Sequence, residues 1–116
     1  MKYEEAFIIS LFLTILTETP VVLLMIRYLF KDKATKTPKI IAVSCLASAL
    51  TLPYLWFVLP QFVPDWNIYF TLGESLVIMI ESLIYFYLFR LRPLNAFALS
   101  LVANTVSMSL GLFIKL

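Results

Sequence analysis

Histidine is absent from this chain of 116 residues, and cysteine occurs only once, as Cys45. Without histidine, a haem site, a Ser-His-Asp triad and a histidine-ligated zinc site all lack essential groups. A single cysteine excludes a disulfide within the chain and a CxxC redox pair. We therefore expect no resident cofactor of these types, and no set of residues stands out as catalytic.

Charged residues and glycine are also scarce. Charged residues make up 14% of the chain, glycine occurs twice, and 62% of the residues are apolar. A soluble domain is about 45–50% apolar and about 25% charged, and a chain this short cannot hide so much apolar surface from water. The chain has no basic tract of the kind that favours nucleic acid as a partner. The composition predicts one all-α integral membrane domain over residues 1–116, with the lipid bilayer as its surroundings.

Four apolar runs are long enough to cross a bilayer core of about 30 Å, which takes about 20 helical residues. Polar or proline-containing connections at 31–39, 60–66 and 90–93 separate these runs. Glu4 and Glu5 precede the first run and no small-residue cleavage site follows it, which argues against a cleaved signal peptide. The sequence predicts a four-helix transmembrane bundle with short loops and with helices at about 6–30, 39–59, 67–90 and 94–115.

The basic residues predict how the bundle is oriented. Seven of the nine lysines and arginines are Arg27 and residues of the connections 31–39 and 90–93, whereas Lys2 and Lys115 belong to the other side. By the positive-inside rule, these two connections face the cytoplasm and both termini face outward. We expect the plasma membrane of a prokaryote as the location.

Three glutamates lie inside the apolar runs. Glu18 is near the middle of the first helix, Glu81 is near the middle of the third, and Glu74 lies in the outer third of that helix. A charged carboxyl at such a depth costs several kcal/mol, so these side chains should face protein or water. No basic residue of the chain lies at their depth, which leaves protonation, hydration or a bound metal. Tyr85 extends the same helix face one turn further.

Polar residues at helical spacing predict which side of each helix faces the interior. We expect Glu18, Ser48, Glu81 and Asn104 at the central level of the bundle. For the serines the alternative is ordinary packing between helices, where each hydrogen bond contributes about 0.6 kcal/mol. The residues predicted to bind a substrate or an ion are Glu18, Glu81, Glu74, Asn104, Tyr85 and Ser48.

Two prolines fall within the predicted helices. Pro20 removes the backbone hydrogen bond to the carbonyl of Leu16 and is expected to kink the first helix beside Glu18. A freed carbonyl near a carboxylate is used as a cation or proton site in the broken helices of transporters. Pro53 is expected to kink the second helix. A plain kink without a functional role is the alternative for both prolines.

The first and third helices share a pattern that indicates an internal repeat. Arg27 follows Glu18 at the same interval at which Arg90 follows Glu81. This pattern suits two helical hairpins related by a parallel pseudo-two-fold axis along the membrane normal. Glu74 has no acidic counterpart in the first helix, and the second and fourth helices align poorly.

Three functions are compatible with these features. The first is a small transporter or transporter subunit, assembled as a homo-oligomer, whose intramembrane glutamates bind protons or a cation. A hard metal cation suits the oxygen ligands, and a lipophilic cation suits the many aromatic residues. The alternative is a non-catalytic accessory subunit of a larger membrane complex, with the glutamates paired to a partner's arginine or lysine. The third is a membrane enzyme acting on a lipid or isoprenoid, with a glutamate as general acid.

Overall fold

The computed structural model of the protein describes the backbone of residues 2–114 and the side chains of residues 2–111. Lys115, predicted for the outer face, lies outside the described residues, as does the predicted end of the fourth helix. All regular structure in the described part of the chain is helical. The helices are α1 (Tyr3–Leu24), α2 (Thr37–Pro53), α3 (Leu59–Phe62), α4 (Trp66–Phe89) and α5 (Pro93–Ile114).

Two π-helical turns lengthen the helices. One, Met25–Leu29, continues α1, and the other, Tyr54–Val58, joins α2 to α3. The described chain therefore has four helical stretches long and apolar enough to cross a membrane, which confirms the predicted all-helical fold with four spans. These stretches are Tyr3–Leu29, Thr37–Phe62, Trp66–Phe89 and Pro93–Gly111.

Local chemistry explains where the helices begin and end. The Asp65 carboxylate accepts a hydrogen bond from the Asn67 N–H at 3.0 Å and so caps the start of α4. Pro93 opens α5 at a position where its missing N–H costs nothing. Arg90 adopts a left-handed conformation, with φ of 54°, and ends α4.

The connection 31–36 is held by Asp32. Its carboxylate accepts hydrogen bonds from the hydroxyl of Thr35, at 2.7 Å, and from the backbone N–H groups of Thr35 and Ala34. These bonds, that of the Thr35 hydroxyl first, lower the pKa of Asp32 below its ordinary value. Arg27 donates to the Asp32 carbonyl at 2.9 Å and thereby ties the loop to the end of the first span.

The spans pack around one interior. α1 and α4 each contact both α2 and α5, so the four spans surround a common centre. Large apolar side chains such as Phe12, Met79 and Leu83 lie exposed on the outside, where a lipid environment suits them better than water. We name the two ends of the bundle after their residues: the tryptophan end holds Trp56 and Trp66, and the basic end holds the connections 31–36 and 90–92.

At the basic end, the interior is filled by an apolar cluster that we call the apolar seal. Its members are buried side chains contributed by all four spans, and the aromatic rings of Tyr85 and Phe89 stack within it at 5.7 Å. The apolar seal consists of Val22, Ile26, Ile40, Val43, Ala47, Tyr85, Phe89, Ala96, Leu99 and Ala103.

At the tryptophan end, two tyrosines join the helices through the backbone. Pro60 has no N–H group, so it cannot donate a backbone hydrogen bond to a carbonyl one turn earlier, where Leu55 and Trp56 lie. The hydroxyl of Tyr69 donates to the Leu55 carbonyl and that of Tyr3 donates to the Trp56 carbonyl. The first turns of α4 and α1 are thus both attached to the π-helical turn that follows α2.

Gly73 allows the Leu55 and Leu59 side chains, from the segment that follows α2, to pack closely against α4. A Cβ atom at this buried position would collide with the Leu55 side chain and would lie 3.1 Å from that of Leu59. We expect Gly73→Val to lower the free energy of unfolding by about 1–3 kcal/mol, because the Leu55 and Leu59 side chains must shift to make room for the added methyl groups. Unfolding of the purified protein in lipid bicelles measures the effect.

The other glycine is a matched control. A Cβ atom at Gly111 would meet no described atom within 4 Å, so Gly111→Val should change the same free energy by less than about 0.5 kcal/mol. Equal losses at the two glycines would contradict the proposed close contact at Gly73.

Candidate functional site

The centre of the bundle contains two carboxyl groups on different helices. Glu18 on α1 and Glu81 on α4 are each 1% exposed. Both line the same cavity, and their hydrogen-bond partners are neighbours one turn apart on α2 and on α5. We call these two groups the carboxyl pair.

Neutral side chains from the two other spans bind the carboxyl pair. For Glu18, the Ser107 hydroxyl donates to Oε2 at 2.6 Å and the Ser48 hydroxyl donates to Oε1 at 3.4 Å. For Glu81, the Asn104 amide donates to Oε1 at 3.0 Å, and Thr51 Oγ1 lies 2.8 Å from Oε2. Each carboxyl group thus has one polar partner on α2 and one on α5.

These four partners follow a regular pattern. Ser48 and Thr51 are three residues apart on α2, as Asn104 and Ser107 are on α5. Glu18 contacts the earlier residue on α2, Ser48, and the later residue on α5, Ser107. Glu81 does the reverse and contacts the later residue on α2, Thr51, and the earlier residue on α5, Asn104. The contacts of the two glutamates are therefore crosswise: they exchange with each other when α1 is exchanged with α4 and α2 with α5.

A cavity of about 380 Å³ leads from the tryptophan end to the carboxyl pair. Successive turns of α4 line it with Trp66, Phe70, Glu74, Val77 and Glu81. The residue of the next turn is Tyr85, which belongs to the apolar seal. The cavity therefore ends at the carboxyl pair and is closed toward the basic end.

The structure brings together four of the predicted site residues and separates the other two from them. Glu18, Ser48, Glu81 and Asn104 meet in one hydrogen-bonded group. Glu74 lines the cavity nearer to its mouth.

Tyr85 lies beyond the floor of the cavity. Its side chain is completely buried, and none of the described residues meets its hydroxyl in hydrogen-bonding geometry.

The two prolines occupy different surroundings. α1 continues as an α-helix through Pro20, which is exposed together with Leu16. Because Glu18 is buried, the carbonyl that Pro20 leaves free lies on the opposite side of the helix from the carboxyl pair. Pro53 is half-buried and directly precedes the π-helical turn Tyr54–Val58. The Leu16 carbonyl that Pro20 leaves free is therefore not part of this site.

Thr51 and Ser107 were not among the predicted site residues, although both touch a glutamate. The signal that could have identified them is their position three residues after Ser48 and Asn104 in the same polar stripes. Among the described residues, no three acidic or cysteine side chains form a cluster suited to a metal ion. Glu74 is part of the cavity wall rather than a third member of the carboxyl pair.

No protein-family model, curated protein or solved structure matches this chain. A functional proposal therefore depends on the chemistry of the site.

Proposed function

We propose that the chain is a small membrane transporter, or the membrane subunit of one, in which Glu18 and Glu81 bind a proton or a cation in exchange for a substrate. One observation carries this proposal: two carboxyl groups from different helices meet at the closed end of a cavity that is open at the other end. Two carboxylates at the end of one cavity in an apolar interior repel each other strongly. A proton or a cation between them removes the repulsion.

The hydrogen bonds around Glu81 support a proton on the pair. The Thr51 hydroxyl carries a single hydrogen, yet its oxygen lies 2.8 Å both from the Ala47 carbonyl and from Glu81 Oε2. A carbonyl can only accept, so the hydroxyl satisfies both neighbours if it donates to Ala47 and a protonated Glu81 donates to it. The Ser107 hydroxyl also has two acceptors within reach, Glu18 Oε2 at 2.6 Å and the Asn104 carbonyl at 3.1 Å.

The crosswise contacts support two hairpins related by a parallel pseudo-two-fold axis. In this arrangement α1–α2 corresponds to α4–α5, and Glu18 exchanges with Glu81. The same interval separates the buried residues Ser44, Ala47 and Ser48 of α2 from the buried Ser100, Ala103 and Asn104 of α5. The second and fourth spans can thus be aligned, although at a different interval from the first and third. An axis through the carboxyl pair suits a site shared by two moving halves.

The charge distribution supports an orientation for this transporter. With the basic end in the cytoplasm, the termini face outward and the cavity opens outward, while the apolar seal closes the cytoplasmic side. Proton or cation binding at the carboxyl pair would then be coupled to rocking of one hairpin against the other. Assembly as a homo-oligomer, or with other membrane subunits, would use the exposed apolar faces.

Transport by the purified protein tests this proposal. Proteoliposomes containing only this chain, placed under a pH gradient, are supplied with a panel of labelled monovalent metal ions and organic cations. We expect gradient-driven accumulation of at least one of them above the level of protein-free liposomes. A protein that moves none of them and co-purifies with another membrane subunit would instead be an accessory subunit, which contradicts the proposal.

A further inference from the structure

The mouth of the cavity is a second space with its own lining, which we call the aromatic vestibule. It has a volume of about 420 Å³, within the range of about 300–1,000 Å³ typical of small-molecule sites. Among the described residues of its wall, Glu74 is the only charged one. The aromatic rings of the vestibule belong to Tyr3, Trp56, Trp66, Tyr69 and Phe70.

These rings are held in place by one another and by the backbone. The Tyr3 and Trp56 rings lie 5.1 Å apart, and the Trp66 ring lies 5.7 Å from those of Tyr69 and Phe70. Both tyrosine hydroxyls are engaged by main-chain carbonyls at the end of α2. Their rings are therefore fixed before a ligand arrives, which reduces the entropy lost on binding.

The charge of the vestibule selects its ligand. The Glu74 side chain is half-buried, and no hydrogen bond to it occurs among the described residues. Aromatic faces attract cations, most strongly where water is excluded. The Glu74 carboxylate repels anions. A neutral apolar molecule could cover the rings but would give this carboxylate no partner.

A metal ion suits this space less well than an organic cation. Hard metal cations take six or more oxygen ligands, whereas the described side chains of the vestibule offer one carboxylate and two tyrosine hydroxyls. A molecule that carries one diffuse positive charge on an apolar body would satisfy the carboxylate and cover the rings together.

We propose that the aromatic vestibule binds a hydrophobic organic cation, whose charge lies against Glu74 and whose apolar body lies among Trp56, Trp66 and Phe70. This inference rests on the proposed function, for which it names the substrate class. The vestibule is continuous with the deeper cavity, since these four residues line both spaces. A cation bound here is therefore on the route to the carboxyl pair.

Tryptophan fluorescence gives a direct measurement of binding. The chain has two tryptophans, and both line the vestibule. We use tetraphenylphosphonium as the probe and tetraphenylborate as its control, since the two ions have the same shape and opposite charge. We expect tetraphenylphosphonium to quench the fluorescence of the purified protein saturably, and tetraphenylborate at equal concentration to produce no saturable quenching.

Substitution of the carboxylate shows whether the charge is responsible. Glu74→Gln should weaken tetraphenylphosphonium binding by at least about tenfold, while Glu74→Asp, which keeps the charge, should retain most of the affinity. Glu4→Gln removes an exposed charge near the same end and should leave the affinity within about twofold. Equal quenching by both ions, or wild-type affinity in Glu74→Gln, would overturn the inference.

The same measurement separates this inference from the proposed function. Glu18→Gln and Glu81→Gln should bind tetraphenylphosphonium within about threefold of the wild-type protein, because neither residue lines the vestibule. Saturable binding without any gradient-driven uptake would overturn the transporter proposal and leave the vestibule as a binding site. Gradient-driven uptake of a metal ion without saturable binding of the probe would overturn the vestibule inference alone.

Discussion

Glu18→Gln and Glu81→Gln are each expected to reduce gradient-driven uptake to the rate of protein-free liposomes. Glutamine presents its oxygen to one partner and an N–H group to the other, whose hydroxyl can accept, so the bundle should still fold. It cannot gain or release a proton in the working pH range, nor supply negative charge to a cation. Either variant would therefore lose the coupling between proton or cation binding at the carboxyl pair and substrate transport. The measurement is uptake by proteoliposomes with matched amounts of protein.

Glu4→Gln is the matched control for this loss. Glu4 lies exposed in the first turn of α1, far from the carboxyl pair in sequence, and its substitution should leave the uptake rate unchanged. Uptake that persists in both central variants would show that the carboxyl pair has no part in coupling. If both variants fail only to associate with another membrane subunit, the glutamates serve assembly. Consumption of a lipid that stops in both variants would favour the enzyme hypothesis.

Tyr85→Ala should cause the largest loss of stability, about 3–5 kcal/mol in the free energy of unfolding. Tyr85 is the largest of the completely buried side chains and stacks on Phe89 in the apolar seal. Its removal leaves a void directly beneath the carboxyl pair. We also expect the reconstituted variant to leak protons, measured with a dye inside the liposomes, because the closed end of the cavity is then weakened.

Tyr87 on the same helix is the matched control, since its side chain is 71% exposed. Tyr87→Ala should change stability by less than about 0.5 kcal/mol and should not leak. Tyr85→Phe separates the ring from the hydroxyl. Because that hydroxyl has no hydrogen-bond partner in the described part of the chain, its loss should be neutral or stabilising by about 1 kcal/mol. Equal losses in Tyr85→Ala and Tyr87→Ala would contradict the role of the apolar seal.

The placement of the glutamates illustrates what could be predicted from residue patterns. Glu18 and Glu81 were expected in the interior, together with Ser48 and Asn104, because polar groups at helical spacing avoid lipid. The structure brings these four side chains together. Their pairing with Thr51 and Ser107 was not predicted, since the choice among neighbours in a polar stripe depends on the rotation and axial offset of four helices.

Tyr85 and Pro20 illustrate what such patterns do not contain. Tyr85 shares a helix face with Glu74 and Glu81, but the cavity ends one turn before it, and a helix face does not reveal how deep a cavity extends. Pro20 was associated with Glu18 because the two are close in sequence. Two residues along a helix correspond to roughly opposite faces, so the carbonyl that Pro20 frees lies away from the carboxyl pair.

The sequence by itself determined the four apolar spans and the burial of the central glutamates, because both follow from length, hydropathy and helical period. Only the tertiary structure decided that Glu18 and Glu81 face each other at the end of a cavity closed by Tyr85 and Phe89. That arrangement depends on side-chain packing between helices far apart in the chain, such as the close approach at Gly73 and the tyrosine contacts at the tryptophan end. These contacts set how the helices are offset and rotated, and no periodicity within one helix contains that information.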